Sequence, residues 1–146
     1  MNTQTVSTGS AAKLAAAGFP QPAPAPGQWW SYKESVIFIW YKTITPTSIR
    51  DYYTVSKCIN GHRPTVDEYF DLEDFNGLVF LPTAGDILRE LQQKTRTPFW
   101  WAITPISSEG VWCCIQFEGY EGKNLEFENE HPAEAAALAW LEINKG

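Results

Sequence analysis

Between Trp29 and Leu81 the sequence is a succession of strand-length, aromatic and β-branched runs separated by turn residues. Trp29 to Tyr32 and Val36 to Thr43 read as strands, because such side chains fit a pleated surface. Pro46, within Ile44 to Arg50, removes a ladder donor and forbids a central strand position there. Tyr52 to Ile59 resumes strand character, with Tyr53, Val55 and Lys57 on one face. Asn60-Gly61 favours a type I′ hairpin turn, which needs positive φ at both central residues. Val66 to Leu72 follows as a strand or irregular return, and Asn76-Gly77 marks a turn before Leu78 to Leu81. Further on, Phe99 to Ile106 and Val111 to Glu118 flank a turn at Ser107 to Gly110 and read as an antiparallel hairpin. Gly119 to Asn124 reads as a loop and Leu125 to Asn129 as a short edge strand.

Three helices are expected around these strands. Ser7 to Ala17 is alanine-rich, with Ser7 as its cap and Gly18 as the left-handed residue past its end. Leu14 and Phe19 offer this short helix one apolar contact. Thr83 and Asp86 stand at the N-cap and N3 spacing of a capping box, and Ile87, Leu88 and Leu91 give one helical face from Ala84 to Gln93. Pro132 suits the first position of a last helix ending at Asn144, and Glu134 in its first turn suits the dipole. Helices that do not alternate with the strands indicate α+β: an antiparallel sheet with an N-terminal, a middle and a C-terminal helix packed on it. Pro20, Pro22, Pro24 and Pro26 describe an extended spacer. The expected organisation is residues 1–27 as a short helix and proline-rich arm and residues 28–146 as a single α+β domain.

A chain of 146 residues buries an adequate core without staples. The net charge of -6 argues against binding to extended nucleic acid, whose phosphates repel an acidic surface. No secretory signal and no apolar run of membrane-spanning length is visible, so the expected place is the cytoplasm. The 3 cysteines, Cys58, Cys113 and Cys114, fit a reducing compartment and read as small buried apolar thiols. Together with the distant His62 and His131 they do not make a zinc set, and no metal or cofactor is expected. His62 lies beside a turn with no evident partner, and Asp67, Glu68, Asp71, Glu73 and Asp74 read as a solvated acidic face. No nucleophile elbow, zinc-protease helix, paired-cysteine or phosphate-loop pattern occurs, so no catalytic residue is assigned.

The candidate site comes from two aromatic doublets, Trp29-Trp30 and Trp100-Trp101. Neighbours in a strand point to opposite faces, so one Trp of each pair enters the core and the other needs a second surface. That outward Trp is covered by a helix or subunit, or it stacks on a ligand. With Arg50 and Arg63 as phosphate partners, the candidate ligand-binding residues are Trp29, Trp30, Arg50, Arg63, Trp100 and Trp101. The surplus of aromatic residues also suggests a homo-oligomer.

Ala11 to Trp30, Phe80 to Leu91 and His131 to Asn144 together resemble small proteins of bacteriophages and prophages, chiefly of Bacteroidota-type hosts. His131 departs from that pattern, in which Asn precedes the Pro. The resemblance implies a phage origin and carries no catalytic residue to transfer; an anti-defence role is expected by analogy with phage proteins in general. It leads to the expectation of a non-enzymatic protein in the infected host's cytoplasm that sequesters a small anionic, nucleotide-type immune signal. The alternative is an inhibitor that blocks a host defence protein through an acidic and aromatic surface. A small hydrolase with an unrecognised site is the third reading.

Overall fold

The structure, a computed structural model, describes residues 5–32, 35–43, 51–59, 65–71, 78–94, 99–106, 110–118 and 123–145. In chain order the elements are α1 (Thr8–Ala16), β1 (Trp29–Tyr32), β2 (Ser35–Thr43), β3 (Tyr52–Ile59), β4 (Thr65–Phe70) and β5 (Val79–Leu81). They continue with α2 (Ala84–Lys94), β6 (Phe99–Pro105), β7 (Trp112–Glu118), β8 (Lys123–Asn129) and α3 (Pro132–Ile143). The fold is α+β, and its antiparallel strands form two sheets, ordered β4-β3-β2-β1-β5 and β6-β7-β8. The chain makes two compact units, Met1–Phe19 with Pro82–Gly146 and Pro20–Leu81. The three helices and the smaller sheet belong to the first, and the five-stranded sheet is the second. No helix among the described residues is long and apolar enough to cross a membrane.

In the helical unit the expected caps form. Ser7 Oγ accepts from Ser10 N at 3.1 Å at the start of α1. At its end Gly18 takes φ 96°. Phe19 N donates to Leu14 O at 2.9 Å and Gly18 N to Ala15 O at 3.1 Å, the paired bonds of a Schellman ending. Leu14 and Phe19 are both buried, as that ending's apolar contact requires. At α2 the capping box closes in both directions: Thr83 N donates to Asp86 Oδ2 at 2.9 Å and Asp86 N to Thr83 Oγ1 at 3.2 Å. His131 makes no side-chain cap at α3, as an imidazole in place of Asn leads one to expect. Glu134 instead joins two helices. Its carboxylate accepts from Ser7 N and from Ser10 Oγ, each at 2.6 Å, and so holds the start of α1 against the first turn of α3. Trp140 is fully buried, with Phe19 edge-on at 5.1 Å and Lys94 Nζ 5.4 Å from its ring centroid. On α3 Leu138 is exposed, and alanines at 133, 135, 136, 137 and 139 do the close packing.

In the sheet unit one face carries Trp30, Ile37, Ile39, Tyr53, Val55, Phe70 and Phe80, all buried. The registers Trp30↔Ile37, Trp30↔Phe80, Ile39↔Val55 and Tyr53↔Phe70 align them. The proline-rich arm lies on this sheet and is hydrogen-bonded to it. Gln21 Oε1 accepts from Phe80 N at 2.9 Å and so occupies a donor on the edge strand β5. Gln28 Oε1 accepts from Ala25 N at 2.8 Å and from Trp30 Nε1 at 3.0 Å, which satisfies the donor of a buried indole. Gly27, at φ 88°, turns the arm into β1, and its N–H donates to Ile39 O at 2.8 Å.

Candidate functional site

The two tryptophan doublets behave as strand alternation requires. Trp30 and Trp101 are buried, Trp29 is half-buried and Trp100 is 43% exposed. The first pair lies in the five-stranded sheet and the second in the three-stranded sheet. Arg50 and Arg63 lie outside the described residues, as do His62, Glu73 and Asp74. Of the acidic run, Asp67 Oδ2 meets Lys57 Nζ at 3.5 Å, Glu68 is exposed and Asp71 is buried, so it is not one solvated face.

Trp29 does not stand alone. Register places it opposite Phe38, and their ring centroids are 4.5 Å apart. Phe38 meets Trp40 edge to face at 4.8 Å, so three rings cross β1 and β2 in a row. Trp40 is 55% exposed and Tyr41 61%. Their exposure has a local cause. The pairing of β2 with β3 slips between Ile39 and Tyr41, so Trp40 is the extra residue of a β-bulge. Without it Trp40 and Tyr41 would point to opposite faces. With it Tyr41 faces Thr54, on the side of the sheet that carries Ser56 and Phe38. Trp40 Nε1 donates to Ser56 Oγ at 2.6 Å. Val66, opposite Ser56 on β4, and Cys58, further along β3, extend the same open face; both are exposed. Cys58 therefore departs from the expected buried thiols, because β3 turns it to this face. Chemically the row is a neutral stacking surface for planar rings.

Trp100 has a different setting. It stacks on Phe117 at 4.7 Å and 23°, so one of its ring faces is already covered. Trp101 N donates to Gln92 Oε1 of α2 at 3.1 Å, which ties its strand to that helix. On the Trp100 side of this sheet, Cys113, Glu126 and Glu128 bring one ligand atom each within 4.8 Å of the others. Counting Cys and His alone misses this trio; the β7–β8 register supplies the two carboxylates. Sulfur and oxygen donors suit a zinc-like ion. Both carboxylates are exposed, and exposed acidic groups gather in this way without an ion, so the trio is assigned no metal. Cys114, on the other face, has its thiol pushed up to about 12 by burial and then by the neighbouring Cys113, so it is inert at neutral pH.

No protein-family model, curated protein or solved structure matches the chain. The site is therefore read from its geometry. Phe38, Trp40 and Tyr41 are the residues that sequence reasoning missed. The signal was present as Phe38-x-Trp40, alternate positions on a strand that folds back beside Trp29. The bulge that adds Tyr41 left no comparable mark.

Proposed function

We propose that this is a non-enzymatic binding protein whose open aromatic sheet face takes a planar, anionic, nucleotide-type ligand. The observation that carries the reading is the row Trp29–Phe38–Trp40, ending in a Trp that is 55% exposed. Each base stacked on such a ring contributes about 1–3 kcal/mol. Arg50 and Arg63 stand two residues before β3 and β4 in the sequence and are the cations assigned to phosphate. A charge-assisted bond from each adds about 1.5–3 kcal/mol. The opposing net charge of -6 slows encounter with an anion, but screening confines that field to about 8 Å at physiological salt. In the setting that the phage resemblance implies, a protein of this kind lowers the free concentration of a host immune nucleotide without altering it.

Calorimetry against cyclic di- and trinucleotides and cyclic ADP-ribose-type compounds tests this. Binding of one of them, weakened about 5- to 150-fold by Trp40→Ala, is the expected result. No heat with any of them overturns it, and recovery of a chemically changed nucleotide makes the protein an enzyme. The second reading, a protein partner on the same face, is favoured by Tyr41 and Val66, which widen the exposed apolar surface beyond one ring's footprint. A second copy of the chain is one such partner. Light scattering at micromolar concentration reads it directly, since a monomer has a mass of 16.5 kDa.

A further inference from the structure

We infer that Ser56 is a positioning residue that presets the Trp40 ring for stacking, and that the β-bulge in β2 exists to present that ring. The inference rests on the aromatic-platform reading above. An exposed Trp on a regular strand is free to change rotamer, and ordering it on binding costs affinity. Three features remove that freedom here. The bulge at Trp40 bends and re-aims the strand locally, as such irregularities do beside binding sites. Ser56 Oγ takes the indole N–H at 2.6 Å from the neighbouring strand. Phe38, directly opposite Ser56 in the register, abuts the same ring edge to face at 4.8 Å. The hydrogen bond uses the one polar atom of the indole and leaves its π-face for a ligand. A solvent-exposed Trp has no need of such a partner, because water satisfies its donor equally well.

The ligand class follows from the chemistry of this corner. Ser56, Val66, Phe38 and Trp40 are all uncharged. The contact they make reads a planar ring, and the charged part of the ligand is met elsewhere. Affinity lost at Trp40 should therefore be nearly independent of salt, whereas affinity lost at an Arg is not.

The test uses the full chain with Ser56→Ala, Ser56→Thr and Trp40→Ala. In the unliganded protein, 15N relaxation of the Trp40 indole N–H should report a rigid ring, made mobile by Ser56→Ala and rigid again by Ser56→Thr. In calorimetry, Ser56→Ala should weaken the nucleotide that the wild type binds by about three- to tenfold, with Ser56→Thr restoring it. Unchanged affinity in Ser56→Ala, while Trp40→Ala loses binding, overturns this inference and leaves the platform standing. An indole equally mobile in the wild type and Ser56→Ala also overturns it. A wild type that binds none of the nucleotides overturns the platform and the inference together.

Discussion

The two sheets receive the same sequence signal, a Trp-Trp doublet on a strand, and use its outward ring differently. On β6 the outward Trp100 lies almost parallel to Phe117, one neighbour covering one of its faces. On β1 the outward Trp29 begins a row that continues through Phe38 to Trp40. The strand positions explain part of the contrast. β6 is an edge strand with a neighbour on one side, whereas β1 lies between β2 and β5. A doublet thus forces one ring outward but does not decide what that ring does. That depends on which residues the adjacent strand places opposite it, and on whether its register is regular.

Substitutions sharpen the contrast between rings that hold the fold and rings that face out. The largest effect is expected inside. Trp140→Ala should cost about 3–5 kcal/mol in chemical denaturation, since it empties a fully buried site. Trp140→Phe should cost clearly less, because it also removes an indole N–H that has no partner among the described residues. Unchanged stability in Trp140→Ala would contradict its burial. Glu134→Ala should cost about 2 kcal/mol, since one carboxylate accepts two bonds from the start of α1. Hydrogen exchange should show α1 opening first in that variant, and uniform loss across all three helices would count against the lock. Thr83→Ala should cost about 1 kcal/mol through the lost cap.

Thiol chemistry separates the two sheets more gently. In the native protein a disulfide reagent should modify Cys58 at once and reach Cys113 and Cys114 after unfolding. The Cys114 thiol, raised from 9.0 to about 12, keeps its proton in the folded chain where the unfolded chain has lost it. Stability from this group is therefore complete below about pH 9 and declines as pH rises toward 12, and urea titrations across that range would show it. Native reaction of all the thiols would refute the burial. The smallest expected change is Trp40→Ala, whose effect on stability should stay within about 1 kcal/mol, the worth of an exposed edge-to-face contact and one hydrogen bond. A larger loss would make the outer row part of the fold, like Trp100 on Phe117.

Local chemistry was legible in the sequence. Ser7, Gly18, Thr83, Asp86 and Pro132 each act within a few residues of themselves, and the structure places each at the helix end expected of it. Strand spans agree within a few residues; β8 starts at Lys123, two residues inside the expected loop. What was not legible depends on distant partners. The split of the strands into two sheets is a matter of pairing: the β6–β7 hairpin was expected, but nothing near Leu81 announces that it will form a sheet apart from the earlier strands. Gln21 was silent for the same reason, since it finds Phe80 59 positions away. The candidate site was half legible. The alternation rule sorts Trp29 from Trp30 and Trp100 from Trp101, but a one-residue slip in register at Trp40 decides the rest.

The insertion of residues 20–81 between α1 and α2 sets a timetable for folding. Ser7 and Glu134 are 127 positions apart, and Val6 N finds Pro82 O across the whole of the sheet unit. During synthesis the five-stranded sheet has all its strands once residue 81 has emerged, while α1 still lacks every surface it docks on. At about 5–20 residues per second that wait lasts several seconds, far longer than a helix takes to form and melt. Contacts of such long range also slow the search for the native state. α1, made before the other elements, is among the last to dock.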